Sequence, residues 1–168
     1  MLPLTQLTED EQMLKEATAD FAQSSIAPLI QKMDEQAKLE QSVIDECFEM
    51  GLMGVEIPEK YEGAGGTFMM SIVSIEQLSR VDASVGVFMD VQNTLVNNAF
   101  LNFGSDDIQT KYLTQLATKK VGAYCLSEAS SGSDAFALKA TAKLDGNHYI
   151  LNGAKLWITN ANEADIFI

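Results

Sequence analysis

The sequence is poor in cysteine, histidine and basic residues. Among its 168 residues are 2 cysteines and 1 histidine, and 11 basic side chains stand against 24 acidic ones, for a formal net charge of −13. Because a nucleic-acid-binding protein needs a basic face, this balance argues against nucleic acid as a partner. Cys47 and Cys125 form no CxxC pair and have no histidine at ligand spacing. This excludes a structural zinc site and fits a reducing compartment.

Long hydrophobic runs and targeting signals are also missing. No run reaches the roughly 18 apolar residues of a membrane-spanning helix, so we expect no membrane insertion. The first residues lack the features of a secretory signal and the Arg-rich pattern of a mitochondrial presequence. We expect a cytosolic protein or one whose presequence has been removed. A hydrophobic fraction of 46% with 3 prolines excludes a disordered acidic tail, so the chain should fold.

Apolar residues at helical spacing predict an all-α region over residues 1–120. Thr8 and Glu11 form a capping-box pattern, and Pro28 suits the first turn of a new helix. Gly51 is predicted to end a helix, and Ser105 to begin one. A long glycine-rich loop follows Gly51. The predicted helices lie near residues 8–21, 26–33, 43–51, 69–81, 84–103 and 105–116.

After residue 120 the pattern changes to short strands. Strand-like runs occur at 121–126, 137–144, 148–151 and 155–159, with turn signals at Asp145-Gly146 and Asn152-Gly153. They predict a β meander. We therefore predict a multi-domain α+β protein, with a helical bundle at 1–120 and the start of an antiparallel β domain at 121–168. Because the meander would leave open edges and the sequence ends in an apolar run, we interpret the chain as the front of a longer protein.

Two segments of the β region could carry chemistry. Tyr124–Asp134 is rich in small and hydroxyl residues, which let the backbone approach a ligand and bind a phosphate or a polar ring edge. An ordinary Ser/Gly turn is the alternative. Leu151–Asn160 contains the only tryptophan, Trp157, which we predict in a strand beside Thr159, offering a stacking face next to a hydroxyl. A core tryptophan after a hairpin is the alternative.

Taken together, in this order and spacing, the two segments resemble the acyl-CoA dehydrogenases. Members of that family carry an aromatic-Cys-x-[Thr/Ser]-Glu-x-x-x-Gly-Ser-Asp segment and then an Asn-Gly-x-Lys-x-Trp-Ile-[Thr/Ser] segment. The resemblance covers nearly the whole chain. The front region, including Gln92–Leu95, looks most like the short/branched-chain members.

The resemblance implies an enzyme that binds FAD and oxidises an acyl-CoA between its α and β carbons. A glutamate takes the α proton in that family, the β hydrogen leaves as hydride, and electrons pass to electron-transfer flavoprotein. The residues implied to bind the cofactor are Tyr124, Cys125, Leu126, Ser127, Glu128, Gly132, Ser133, Trp157, Ile158 and Thr159.

Some of these residues acquire particular roles from the resemblance. Leu126 and Ser127 would contact the edge of the isoalloxazine ring, with the Ser127 hydroxyl replacing the threonine of many members. Trp157 would pack on the ring, and Thr159 would place a hydroxyl near N5. Ser133 would touch the CoA part of the substrate.

The chain departs from the family pattern in its loop, and it does not include the catalytic glutamate. Where many members have Pro-Gly-Ala or Ala-Gly-Ala, this chain has Ala129–Ser131, so a position usually free to take positive φ carries serine. The family's catalytic glutamate lies in a C-terminal helical domain beyond Ile168. We therefore predict no catalytic residue here, and Glu128 is predicted to fix the loop.

The helix with Phe88, Val91 and Leu95 corresponds to a region that lines the acyl pocket in the family. An apolar stripe at helical spacing is also what a core helix shows, so core packing is the alternative.

We expect the full-length protein to dehydrogenate short or 2-methyl-branched acyl-CoA as a homotetramer, in the mitochondrial matrix or in a bacterial cytoplasm. We expect the 168 residues alone to be inactive. One alternative is an acyl-CoA oxidase-type enzyme that passes electrons to oxygen. Another is a helical interaction module without catalysis.

Overall fold

The structure, a computed structural model, describes Pro3 and residues 6–168. It confirms the predicted fold class, a helical region followed by short strands. The helices are α1 (Glu9–Phe21), α2 (Ile30–Gln36), α3 (Gln41–Glu49), α4 (Phe68–Ser79), α5 (Ala83–Asp90), α6 (Asn98–Phe103) and α7 (Asp106–Thr118). The strands are β1 (Gly122–Ala123), β2 (Thr141–Asp145), β3 (His148–Asn152) and β4 (Ile166–Phe167).

The capping signals in the sequence mark the helix ends correctly. The Thr8 hydroxyl accepts from the Glu11 backbone N–H at 3.2 Å, and the Glu11 carboxylate accepts from the Thr8 N–H at 2.9 Å. Ser105 caps α7. Gly51 has φ 71° just after α3, a left-handed conformation that glycine adopts at little cost and that stops the helix.

Two of the helical paths contain wider turns. The path from α1 to α2 passes through a π-helical turn, Ala22–Ile26, and then through a tighter 3-10 turn, Ala27–Leu29. Pro28 lies at the start of the 3-10 turn. A second π-helical stretch, Val91–Asn97, joins α5 to α6, so the predicted helix over 84–103 is one continuous path. Wide turns of this kind are often found at functional sites.

The π-helical stretch Val91–Asn97 carries buried carboxamides that hold neighbouring segments. The Gln92 amide oxygen accepts from the Gly122 N–H at 2.7 Å, which fixes β1. The Asn93 amide donates to the Leu52 carbonyl at 2.7 Å and accepts from the Val55 N–H at 3.0 Å. The loop predicted after Gly51 is therefore packed on this helix, where it forms 3-10 turns at Leu52–Gly54 and Glu59–Tyr61.

The hydrophobic core has two parts. The first lies among α1 to α5, with α1 packed on α4 and α4 on α5, and it includes Phe88. The second lies between the π-helical stretch, α6 and α7; it includes Val91 and also Ile166 of β4, which ties the strands to the helices. Phe88 and Val91 are thus core residues, whereas Leu95 is 41% exposed.

The strands correct the predicted meander. β2 and β3 form the expected antiparallel hairpin, with Gly146 in the turn at φ 63°. However, β1 pairs with β4 and the two run parallel, so the prediction of a simple meander was wrong. The predicted strand over 155–159 is also wrong, because Trp157 has φ 58°, a left-handed conformation that a strand cannot contain.

β1 lies directly against the π-helical stretch. A Cβ on Gly122 would fall 2.5 Å from Cγ1 of Val96, so only glycine permits this close approach. Across Pro3 and residues 6–168, no helix has the length and apolarity needed to cross a bilayer.

Candidate functional site

The two sequence motifs lie side by side because Lys155 and Leu156 bond to the first segment. The Leu156 N–H donates to the Ser127 carbonyl at 2.9 Å. The Lys155 ammonium donates to the Leu126 carbonyl at 3.1 Å and to the Glu128 carboxylate at 2.8 Å. Segments that are nearly 30 positions apart in sequence therefore lie against each other.

Glu128 is the centre of this junction. Its side chain is 5% exposed, and its carboxylate also accepts from the backbone N–H groups of Lys139 at 2.6 Å and Ala140 at 3.1 Å. The hydrogen bond from Lys155 and then that from the Lys139 N–H lower the pKa of this carboxyl to about 2. A carboxylate held ionised and bonded in this way suits the loop-fixing role predicted for Glu128. The same bonds hold Lys139 and Ala140 out of the hairpin, so β2 begins at Thr141 and not at 137.

The loop after Glu128 is closed by Ser131. The Glu128 N–H donates to the Ser131 carbonyl at 2.9 Å, and the Ser131 N–H donates back at 3.0 Å. The Ser131 hydroxyl donates to the Asp134 carbonyl at 2.7 Å. No residue of Ala129–Ser131 has positive φ. The departure from the family pattern therefore introduces no backbone strain.

Gly132 lies at the open side of this loop. Its φ is not in the left-handed region, and a Cβ at this position would meet nothing within 4 Å. The fold itself does not require glycine there. A missing side chain beside open space is what close approach of a ligand to the backbone requires.

The predicted site residues differ in exposure. Trp157 is 92% exposed, so the alternative of a core tryptophan is wrong. A large aromatic side chain in this position offers a free face for stacking. The exposed members of the predicted set are Leu126, Gly132, Ser133, Trp157 and Thr159; the half-buried members are Tyr124, Cys125, Ser127 and Ile158; Glu128 is buried.

Sequence reasoning missed two residues that build the site. Lys155 lies within the second motif, and its pairing with Glu128 could have been inferred only from their spatial proximity. Asn160 is 8% exposed, and its side-chain amide donates to the Phe88 carbonyl at 3.1 Å and to the Gly122 carbonyl at 3.2 Å. No sequence signal distinguishes Asn160 from the exposed Asn162 that follows it.

The arrangement can bind a flat, polar heterocycle, and it offers little for proton transfer. An exposed indole, serine and threonine hydroxyls and an open glycine backbone fit a flavin with its phosphates. The acidic side chain at the centre of the junction, Glu128, is already bonded to three donors. Within the described ranges, no three His, Cys, Asp or Glu side chains are placed to hold a metal ion.

Comparison with protein families gives two matches that together cover most of the chain. Residues 8–120 match the acyl-CoA dehydrogenase N-terminal domain. Residues 123–168 match the acyl-CoA dehydrogenase middle domain.

Individual proteins give the same result. The chain is 46% identical over 166 residues to the mitochondrial short/branched chain specific acyl-CoA dehydrogenase of Rattus norvegicus, covering 99% of this chain and 38% of the relative. It is 49% identical over 168 residues to a probable short/branched chain specific acyl-CoA dehydrogenase of Dictyostelium discoideum, covering 99% and 40%. The chain thus spans about two fifths of the length of these relatives.

A solved structure agrees with the sequence relatives. An acyl-CoA dehydrogenase of Bacillus anthracis, in complex with FAD, superposes with a TM-score of 0.89 at 35% identity. The match covers 98% of this chain and 29% of that one.

Proposed function

Because the chain belongs to the acyl-CoA dehydrogenase family, we propose that it carries FAD-binding segments of an enzyme that oxidises acyl-CoA thioesters between their α and β carbons. The observation that carries the proposal is the joining of the two motif segments through Leu156 with Ser127 and Lys155 with Glu128. This junction places the Trp157 segment next to Ser127, and it leaves the side chains of Trp157 and Thr159 exposed.

The proposed contacts are those that the family resemblance implies, and the exposure of Leu126, Trp157 and Thr159 supports them. FAD, when bound, supplies the hydride acceptor. Trp157 stacks on the ring system, and Leu126, Ser127 and Thr159 meet its edge. The remaining cofactor contacts in the proposal come from Tyr124, Cys125, Glu128, Gly132, Ser133 and Ile158. The resemblance also implies that Ser133 contacts the CoA part of the substrate, and its exposure beside Gly132 leaves it accessible.

The finer properties are proposed by analogy with the relatives. Short or 2-methyl-branched acyl-CoA is the proposed substrate class, because the relatives described above are short/branched chain specific. The proposed electron acceptor is electron-transfer flavoprotein, the proposed assembly is a homotetramer, and the proposed location is the mitochondrial matrix or a bacterial cytoplasm. No carboxylate of this chain is proposed as the catalytic base, so we propose that the 168 residues alone do not turn over substrate.

FAD binding by this chain is the direct test. Trp157 is the only tryptophan, so FAD stacked on it should quench the intrinsic tryptophan fluorescence. Trp157→Ala should weaken FAD binding, measured by equilibrium dialysis with FAD absorbance. The matched control is Tyr149→Ala, because Tyr149 is a 66% exposed aromatic residue on β3 outside both motifs. Equal FAD affinity of the two variants would contradict the proposed stacking.

Turnover is tested with a protein of the relatives' length. Short, 2-methyl-branched and long acyl-CoA substrates should bleach the flavin absorbance at different rates, with the first two fastest. Electron-transfer flavoprotein should be reduced, and release of hydrogen peroxide at a matching rate would favour the oxidase alternative instead. Enzyme-like bleaching by the 168-residue chain would disprove the proposed inactivity.

A further inference from the structure

We propose that Asn160 is a positioning residue that fixes the Trp157–Thr159 segment to the helical part of the protein. Its single side-chain amide bridges two elements, α5 through the Phe88 carbonyl at 3.1 Å and β1 through the Gly122 carbonyl at 3.2 Å. Both partners are carbonyl oxygens, which only accept. The group that faces them is therefore the NH₂, and each of its two N–H bonds has an acceptor.

Asn160 is the polar anchor of the segment that follows the second motif. In the described part of the chain, residues 157–164 make hydrogen bonds to other segments only through this amide. The other hydrogen bonds of these residues are local, from Ala161 to Ile158 and from Glu163 to Asn160. Loss of the amide would therefore remove the hydrogen bonds of this segment to α5 and to β1 together.

The backbone at Trp157 explains why an anchor is needed. Trp157 has φ 58° and Asn160 has φ 67°. Asparagine tolerates the left-handed region, but a bulky aromatic residue adopts it at a cost that the surroundings must offset. The residues on both sides of Trp157 are hydrogen-bonded to other segments. Before it, the Leu156 N–H donates to the Ser127 carbonyl; after it, the Asn160 amide donates to the Phe88 carbonyl. An exposed side chain held in a strained backbone conformation indicates that its direction matters for function.

The π-helical stretch contributes the binding place for the amide. The Phe88 carbonyl lies where α5 passes into Val91–Asn97 and also accepts from the Val91 N–H. The same stretch holds Gly122 through Gln92. Asn160 and Gln92 thus bind opposite backbone groups of Gly122, its carbonyl and its N–H, so α5, β1 and the tryptophan segment form one connected unit.

The anchoring itself stands on these hydrogen bonds alone, and only its consequence for flavin binding rests on the proposed function. The test uses the 168-residue chain and time-resolved fluorescence anisotropy of Trp157, which reports nanosecond motion. Asn160→Gly keeps the left-handed backbone accessible but removes the amide. It should enlarge the fast, local component of the anisotropy decay while the helical circular dichroism stays unchanged. The control is Asn162→Ala, an exposed asparagine in the same turn, which should leave the decay as it is.

A second variant separates the effect of losing the Asn160 NH₂ donor from the effect of losing the volume of the side chain. Asn160→Asp has the same shape but presents a carboxylate to two carbonyls, so it should loosen Trp157 at least as much as Asn160→Gly. An anisotropy decay in both variants equal to that of the unaltered chain overturns the proposal, because a residue that only adds general stability would not change Trp157 motion in the folded state.

A measurement on the unaltered chain covers the case in which a variant does not fold. The side-chain NH₂ of Asn160 should show slow exchange with solvent and nuclear Overhauser contacts to the Phe88 region. Fast exchange like that of the Asn162 amide would overturn the proposal.

FAD titration then separates this inference from the proposed function. If the chain binds FAD, Asn160→Gly should weaken binding by about tenfold and Asn162→Ala should not, since two hydrogen bonds that hold the binding segment are lost. Failure of the unaltered chain to bind FAD would count against the proposed function and leave the anisotropy result valid. An unchanged FAD affinity in a variant whose Trp157 is mobile would overturn the positioning role.

Discussion

The Nζ of Lys155 lies 2.8 Å from Oε1 of Glu128 in a pair that is largely shielded from water, with 26% and 5% of the two side chains exposed. The only other salt bridge in the described residues, Lys32 with Glu40, is equally short at 2.7 Å but has exposures of 53% and 22%. Solvent screening leaves a surface pair with little net effect on stability, whereas removal of one partner from a shielded pair leaves an uncompensated charge. The two pairs therefore make a matched comparison within one chain.

We expect Glu128→Gln to lower the melting temperature and to expose the Lys139 and Ala140 amides to hydrogen exchange. The substitution removes the charge that Lys155 pairs with and presents an amide where a carboxylate had accepted two backbone N–H groups. Glu40→Gln is the control and should cost at most about 1 kcal/mol. Equal losses of stability in the two variants would contradict the central role of Glu128.

A double-mutant cycle measures the pairing itself. Glu128→Gln combined with Lys155→Met should destabilise the chain by less than the sum of the two single changes, because the second change removes a charge that the first has already left unpaired. Strict additivity in urea unfolding would mean that the two side chains do not interact.

Stability should fall at acid pH through Glu128. Its pKa is held at about 2 in the folded chain against an ordinary value of 4.5. The carboxylate therefore stabilises the fold fully above the ordinary value, and this contribution is lost as the pH falls through that value towards the folded pKa. Urea unfolding should show a gap between the unaltered chain and Glu128→Gln that is constant near neutral pH and closes by about pH 2. A stability difference that widens on acidification would contradict the lowered pKa of Glu128.

The two cysteines should differ in reactivity. Cys47 is fully buried, and burial, followed by the nearby Glu46 charge, raises the pKa of its thiol to about 12. Cys125 is half-buried; burial also raises its thiol pKa, while the Lys155 charge acts in the opposite direction. A thiol reagent should modify Cys125 slowly in the native protein and Cys47 only after unfolding. Mass spectrometry of labelled peptides checks this, and rapid labelling of Cys47 would contradict its burial.

Core packing predicts a large effect at Phe88. Phe88→Ala should lower the free energy of unfolding by about 3–5 kcal/mol, because the side chain is 1% exposed within the first core cluster. Phe103 is 89% exposed, so Phe103→Ala should change the free energy of unfolding by no more than about 0.5 kcal/mol. Urea unfolding monitored by circular dichroism measures both. A small effect at Phe88 would be consistent with a pocket wall and would contradict the core assignment.

Local signals in the sequence predicted the helices well. The Thr8–Glu11 capping box, the stop at Gly51 and the start at Ser105 each depend on residues within a single turn, and each lies where predicted. The Asp145-Gly146 turn is predictable for the same reason, since glycine there adopts positive φ. The fold class follows from these signals without knowledge of any distant contact.

Tertiary contacts decided what the sequence could not show. Trp157 and its neighbours have high strand propensity, yet Leu156 and Asn160 hold this segment in a turn through bonds to Ser127, Phe88 and Gly122. The buried carboxamides of the π-helical stretch look like polar interruptions of an apolar helix. Their structural role is visible only from their hydrogen bonds to β1 and to the loop after Gly51. The resemblance assigned both motifs to one cofactor, but neither their adjacency nor the Lys155–Glu128 contact that produces it could be predicted from the residues.

The parallel pairing of β1 with β4 has a consequence for the order of folding. The pairing of Gly122 with Ile166 closes a loop of roughly 40 residues, and the contacts between β1 and β4 must offset the entropy of closing that loop. Both motifs lie within that loop, whereas the helices form from contacts closer in sequence. The motif segments should therefore assemble last, and they should open first as a separate cooperative unit while the helical core stays folded.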